Sequence, residues 1–406
     1  MRAPVCSLLL LLALAPGARA TERFDPTKGE AKETKRWART ELLVDEHPQM
    51  KQERFIPLVA HHDPELAKAF GSATPPSSRF LLHFQAGWDR KDLPHPPVLL
   101  IHGAGLSSNH CYADHPIMQP YEGLAAHLAK SGRAVFALSF SHVHGDNYLQ
   151  AEALADAIAR IRHLTGAAKV DLVAHSKGGM AARIYLSSAG PAWSTKFRKD
   201  VRRYVMLGTP NGGIDVSFAY PNLNYWVLEH KSPAPLSWTE GMYWGKWLSW
   251  KDQTVYGPDS PFPGQAQLVA RWDQRYGRTT AKGQLDVDTT YEGGRGQASV
   301  SLGIERAIAD GGDCIAKLAK KPIHASVELA ALAGNDPWVM GLVGERRGPS
   351  DGLLLVASAL ATEPLTRGGA KLLRADVRFF NHLQLVYHPR ANAWVREVLD
   401  LPSPAK

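Results

Sequence analysis

Between residues 76 and 210 the apolar positions alternate between two patterns. Short, nearly continuous apolar runs read as strands buried on both faces: Arg79–Phe84, Pro96–Ile101, Ala134–Phe140, Val170–Ala174 and Tyr204–Leu207. Between them, residues 121–131 and 148–164 carry apolar side chains three and four apart, with Leu124, Ala125 and Leu128 on one face of the first. Met180–Leu186 reads as a shorter helix. Strands alternating with helices predict an α/β fold, a mostly parallel central sheet flanked by helices. The alternation breaks over residues 211–298. It resumes with a helix near 303–318, a strand over Ser326–Leu332, a strand near Ala375–Phe380 and a closing helix over Asn392–Leu399. The chain thus divides into a core of 76–210 and 299–406 with 211–298 inserted into it. Residues 21–75 are polar, carry several prolines and lack clean periodicity, so they predict a leader that packs on the core or is partly mobile.

Residues 1–20 stand apart from the fold. Met1-Arg2 is a short basic start, Ser7–Leu14 is a leucine-rich run, and Ala18-Arg19-Ala20 is a small-residue cleavage site. Together they predict a secretory signal peptide cut after Ala20, since the run is too short to span a bilayer. The expected location is secreted or periplasmic. Cys111 and Cys314 then remain in the mature chain. An oxidising compartment invites one disulfide between them, the alternative being two free thiols. The net charge is +8, but the basic residues are scattered, which argues against a nucleic-acid partner. Contact with anionic surfaces is allowed and not required.

The most informative stretch is Val173-Ala174-His175-Ser176-Lys177-Gly178-Gly179. A serine stands where a buried strand turns sharply into a helix, between small neighbours. That turn resembles the nucleophile elbow of the α/β-hydrolases, with Ala174 in place of the first glycine of G-x-S-x-G. Upstream, Val98–Ile101 runs into His102-Gly103-Ala104-Gly105, which resembles the oxyanion loop of lipases and related hydrolases. The resemblance implies two oxyanion donors, the backbone N–H groups of Ala104 and Lys177. It leaves His102 to brace the loop. Gly208-Thr209-Pro210-Asn211-Gly212-Gly213 resembles the Thr-Pro turn that follows the next strand in the same enzymes. These motifs together place the chain near the secreted bacterial lipase and esterase branch of the α/β-hydrolases, over roughly residues 98–399 outside the insertion.

A serine nucleophile needs a base and a carboxylate that orients the base, in the chain order Ser, acid, His. His382, in Phe380-Asn381-His382-Leu383, follows the last strand and resembles the lipase histidine segment; His388 is the runner-up. Two acids compete. Asp351 opens Asp351-Gly352-Leu353-Leu354, which resembles the acid segment of secreted bacterial lipases. Asp336 follows a strand in Gly334-Asn335-Asp336-Pro337, and its other reading is a turn-forming residue before proline. Asp351 is preferred and Asp336 is kept as the alternative. His142 and His144 form the histidine pair most open to a metal, but no further well-spaced ligand accompanies them, so no metal site is expected. No organic cofactor is implied. Some similar lipases bind a structural calcium, for which the sequence shows no compelling acidic cluster.

The insertion holds Trp226, Trp238, Trp244, Trp247, Trp250 and Trp272, six of the eleven tryptophans. So long a region without regular pattern is expected to have a use. Here it predicts a cap or lid over the serine, with Trp226, Trp244 and Trp247 as substrate-binding candidates for an acyl chain. The competing reading makes the aromatics the cap's own small core. The function expected from all this is an exported serine hydrolase of carboxylic esters, with a lipid-like substrate and interfacial lipid contact. Two alternatives stay open: an acyltransferase with the same triad, and a hydrolase-fold binding protein without activity.

Overall fold

In a computed structural model of the chain, the apolar runs become the inner strands of one nine-stranded sheet. The structure describes residues 23–403 apart from 91, 93, 114–120, 222–237, 244–245, 250–259, 279–284, 298 and 340–341. Residues 1–20, for which a signal peptide is expected, and Trp226 and Trp244 lie outside the described residues. The strands of the first half are β1 (Glu30–Lys32), β2 (Arg39–Val44), β3 (Arg79–Phe84), β4 (Val98–Ile101), β5 (Val135–Phe140), β6 (Val170–His175) and β7 (Val201–Leu207). An inserted region carries β8 (Trp238–Tyr243), β9 (Lys246–Ser249), β10 (Gly294–Arg295) and β11 (Ser299–Ser301). Then come β12 (Glu328–Gly334), the short hairpin β13 (Trp338–Val339) and β14 (Leu342–Val343), and β15 (Lys371–Arg378). The main sheet runs β1-β2-β3-β5-β4-β6-β7-β12-β15. From β5 to β15 every neighbour pairs in parallel, and β3 pairs antiparallel with β5.

Both faces of the parallel part are covered, which is why β4, β5 and β6 are buried at every position and read as continuous apolar runs. Side chains alternate between two cores. Leu99, Ile101, Leu172 and Ala174 join α4 (Asn147–Thr165) and α5 (Gly178–Leu186) on one face. Val98, Leu100 and Val173 meet α3 (Leu124–Ala129) and the helix Pro389–Asp400 on the other. This alternation excludes the Cys111–Cys314 disulfide. Cys111, in α2 (Ser108–Cys111), is packed in the second core and Cys314 in the first, so the sheet separates two buried free thiols.

The segment expected to be a leader supplies sheet. β2 is hydrogen-bonded in full register to β3, so the boundary drawn at residue 76 cuts through an antiparallel pair. The apolar pattern of β2 is interrupted by Thr40 and Glu41, both fully buried. Glu41 is tolerated there because Arg160 of α4 donates to both its carboxylate oxygens at 2.9 Å. The segment also forms α1 (Pro64–Phe70), which packs Leu66 and Phe70 against Leu42 and Leu81.

The insertion is more ordered than its sequence pattern indicates. β8, β9, β10 and β11 form an antiparallel sheet in the order β10-β11-β8-β9. Its strands are two to six residues long, and the β8–β11 pairing shifts register at Val300/Ser301, too little for a periodic signal. Phe218, Tyr220, Phe262 and Tyr291 build a small core with Val59 and Ile304. The single helix expected near 303–318 is two helices, Ile304–Asp310 and Cys314–Ala319, split at Gly311-Gly312. A buried ionic group ties the insertion to the segment before Asp351. The Arg347 guanidinium pairs with Asp215 and Glu345 and donates to the Tyr291 hydroxyl at 3.0 Å.

His83 makes a measurable demand on this fold. Its ring is fully buried between the hydroxyls of Thr40 and Ser139, each at 2.9 Å, and stacks on Trp37. Burial pushes its pKa down to about 3. Below pH 6.5 the unfolded chain gains a proton at His83 that the folded chain refuses, so this residue's contribution falls as pH drops from 6.5 toward 3. The slope is one proton's worth, about 1.4 kcal/mol per pH unit. Urea titrations of the full chain and of His83→Gln across that window are expected to differ by this slope. Parallel pH dependences would show that the site admits the proton.

Candidate active site

The site lies where the parallel strands end, the position at which open α/β sheets place their ligands. Ser176 follows β6 directly and has φ +52°, a left-handed conformation that costs a serine about 1 kcal/mol or more. Hydrogen bonds hold the turn: Ser176 N–H donates to Leu207 O at 2.9 Å, and Gly179 N–H donates to Ser176 O at 3.0 Å. The two glycines that follow are demanded by space. A Cβ on Gly178 would strike the carbonyl oxygen of His102, and one on Gly179 would strike Thr209 Oγ1. At the other end of the motif Ala174 is fully buried in the core, and its methyl is accommodated.

His382 lies in the turn after β15, with Nε2 at 2.9 Å from Ser176 Oγ and Nδ1 at 2.7 Å from Asp351 Oδ2. The carboxylate accepts, so the ring proton sits on Nδ1 and Nε2 is left to accept from the serine hydroxyl. Asp351 is held from its other side. Its Oδ1 accepts from the N–H groups of Leu353 at 3.1 Å and Leu354 at 2.7 Å. Its carbonyl accepts from His382 N–H at 2.9 Å. Asp351 and His382 are buried, while Ser176 is half-exposed. Gly208, at φ +55°, passes so close that a Cβ there would stand 3.3 Å from both Asp351 Oδ2 and His382 Cε1.

The other candidates are engaged elsewhere. Asp336 Oδ1 accepts from Trp338 N–H at 3.1 Å and so caps its own turn. His388 accepts from Arg390 N–H at 3.2 Å at the start of the last helix. His142 Nδ1 accepts from His144 N–H at 3.0 Å, and His144 Nδ1 lies 2.7 Å from Gln265 Nε2.

The His102-Gly103-Ala104 loop packs against the serine: a Cβ on Gly103 would be 2.8 Å from Ser176 Cβ. His102 braces this loop. Its Nε2 accepts from Phe140 N–H at 3.2 Å, so Nδ1 carries the proton and donates to Gly103 O at 2.8 Å. Burial keeps the ring neutral, with its pKa pushed down to about 3. Among the described residues, the N–H groups of Ala104 and Lys177 have no protein acceptor. They are available to a ligand oxygen.

Reading the eight strands from β2 to β15, the order is first, second, fourth, third, then fifth to eighth, with the second antiparallel. The strained serine follows the fifth, the glycine loop the third, and the acid and histidine the seventh and eighth. The chain has the α/β-hydrolase fold. A family model described as a domain of unknown function, DUF7379, matches residues 77–224, from β3 through the elbow to just past β7. Among solved structures, a Bacillus licheniformis lipase in its mature form is 16% identical, over 79% of this chain and 98% of that one, with a TM-score of 0.47. A carboxyl esterase of Bacillus coagulans is 15% identical over 79% and 91%, at 0.38. The naproxen esterase of Bacillus subtilis is 14% identical over 79% and 88%, at 0.37.

Two side chains of this site escape sequence reading. His175 donates from Nε2 to the carbonyl of His382 at 3.0 Å and packs its ring 4.7 Å from the His382 ring, bracing the base from the strand below. The Lys177 side chain is buried, and its Nζ donates to Gln150 Oε1 at 2.5 Å. Glu53, which accepts from Asp146 N–H at 2.7 Å, lies near enough to favour the charged amine, against the burial that lowers its pKa. Gly264 of the insertion packs on the same side chain, where any Cβ would collide with Lys177 Cε. The elbow is thereby tied to α4, to the N-terminal segment and to the insertion. No local signal announces these partners, since Glu53, Gln150 and Gly264 are far apart in sequence. Trp247 lies in β9.

Proposed function

We propose that the protein is an exported serine hydrolase that cleaves carboxylic esters with lipid-like acyl chains. The observation that carries this reading is the hydrogen-bonded line Ser176–His382–Asp351, with separations of 2.9 and 2.7 Å, at the C-terminal ends of the strands. Ser176 Oγ attacks the ester carbonyl while His382 Nε2 takes its proton. The Ala104 and Lys177 N–H groups hold the oxyanion. Each such donor is worth about 3 kcal/mol of barrier. Collapse expels the alcohol, which takes the proton from His382, and water then cleaves the acyl-enzyme by the same steps. Asp351 keeps the ring proton on Nδ1 and stabilises the imidazolium that forms in each half-reaction. In this reading the tryptophan-rich insertion, with Trp226, Trp244 and Trp247, covers the acyl chain. The leucine-rich N-terminus supports export.

The test is to label the full mature chain with a fluorophosphonate and locate the adduct by mass spectrometry, alongside hydrolysis of short- and long-chain p-nitrophenyl esters. The expected adduct is on Ser176, with faster turnover of the longer chains. Labelling with short-chain turnover alone would remove the lipid part of the proposal. No adduct and no ester turnover would overturn the enzyme reading in favour of a binding protein on a hydrolase scaffold.

A further inference from the structure

Away from the Ser176–His382–Asp351 line, the fold gathers three acids that are far apart in sequence. Asp45 directly follows β2, and Glu152 and Asp156 sit one turn apart on α4. All three are buried, at most 2% exposed. One carboxylate oxygen from each lies within 4.8 Å of the other two. Two guanidinium groups face them. Arg23 contacts Glu152 and stands 3.8 Å from Asp45 Oδ2, but also donates to Thr195 Oγ1 at 2.8 Å and Trp193 O at 2.9 Å. Arg198 is 3.9 Å from Asp156 Oδ1 and also donates to Ala155 O at 3.3 Å. Glu152 accepts from Thr195 N–H at 2.8 Å and Thr195 Oγ1 at 2.5 Å, and Asp45 Oδ1 from His47 N–H at 2.9 Å. Asp45 Oδ2 and Asp156 Oδ2 are buried and meet no N–H or hydroxyl donor among the described residues, and burial together with the neighbouring Asp45 carboxylate holds the Asp156 carboxyl well above the usual carboxylate range.

We propose that Asp45, Glu152 and Asp156 form a binding site for a hard divalent cation of the calcium class, which staples the N-terminal strands to α4. Orphaned carboxylate oxygens in a buried site carry a large desolvation cost unless a cation meets them. The available ligand atoms are all oxygen, the choice of calcium or magnesium rather than of zinc. Calcium suits the site better than magnesium, because calcium takes oxygen ligands in flexible geometry whereas magnesium demands a near-ideal octahedron and keeps several waters, for which a cluster of fully buried carboxylates is poorly suited. The bound ion joins Asp45, at the end of β2, to the first half of α4. Its expected effect is on stability and not on the chemistry at Ser176.

The experiment uses the full mature chain after chelator treatment. Equilibrium dialysis against radioactive calcium is expected to find about one ion per chain at about 1 mM, the weak end of calcium-site affinities. Terbium should bind the same site and show emission sensitised by nearby Trp193, with calcium displacing it. Melting in about 1 mM calcium should exceed melting in EDTA by about 1–2 °C. Asp156→Asn and Glu152→Gln should each weaken binding at least about tenfold. If either variant fails to fold, dialysis and melting of the unaltered chain still decide. Calcium-independent melting with no retained ion would overturn the proposal. So would variants that bind calcium as the unaltered chain does. The three carboxyls would then be held by Arg23, Arg198 and a shared proton.

Discussion

Replacing Ser176 with alanine is expected to lower kcat for ester hydrolysis by about 10⁶-fold, the cost of removing the nucleophile from a triad that acts as a unit. Any residual rate would come from the oxyanion donors and substrate binding. The substitution removes only an oxygen from a half-exposed side chain, so melting should move by no more than a degree or two. A companion substitution separates chemistry from strain. Ser176 sits at φ +52°, where glycine is at ease and both serine and alanine are not. Ser176→Gly is therefore expected to be as inactive as Ser176→Ala but more stable by about 1 kcal/mol. Steady-state kinetics and denaturant titration of both variants check this. Retained turnover in Ser176→Ala would move the nucleophile elsewhere. Equal stability of the alanine and glycine forms would mean that the elbow stores no strain.

Asp351→Asn is expected to lower kcat by about 10⁴-fold, with substrate binding largely unchanged. The surroundings dictate which way the asparagine faces. Two N–H donors, from Leu353 and Leu354, point at Oδ1, so the amide oxygen must stay there and the amide NH₂ must face His382 Nδ1. An NH₂ facing Nδ1 makes that nitrogen an acceptor and moves the ring proton to Nε2. The base then cannot accept from Ser176. Asp336→Asn is the control. Its Oδ1 accepts from Trp338 N–H, which an asparagine oxygen can also do, so activity should stay within about tenfold. A large loss from Asp336→Asn with a small loss from Asp351→Asn would exchange the two roles.

The elbow could be read from seven residues because its constraint is local. A strained serine between strand and helix needs small neighbours at fixed spacing, and Gly178 and Gly179 each lie against an atom that forbids a Cβ. The inner strands were legible for a related reason, since a strand covered on both faces is apolar throughout. β2 was not. Its buried Glu41 makes sense only beside Arg160, 119 residues away. Asp351 and Asp336 both precede turn-forming neighbours in sequence. Only the path of the chain after β12, closed by the His382 N–H to Asp351 O bond, brings one of them to the histidine.

By itself, then, the sequence determined the sheet-and-helix alternation, the turn that strains Ser176, the glycine loop beside it and the histidine after the last strand. The alternation and the strained turn follow from sterics and burial acting over a few neighbouring residues, whereas the glycine loop and the histidine were legible through short local motifs that resemble those of lipases. Tertiary structure alone decided which acid faces His382, that the two cysteines lie on opposite sides of the sheet, and that Asp45 meets Glu152 and Asp156. Those outcomes depend on charges and hydrogen-bond donors supplied from distant segments. In a buried site the partner, and not the residue itself, determines whether a polar group is tolerated.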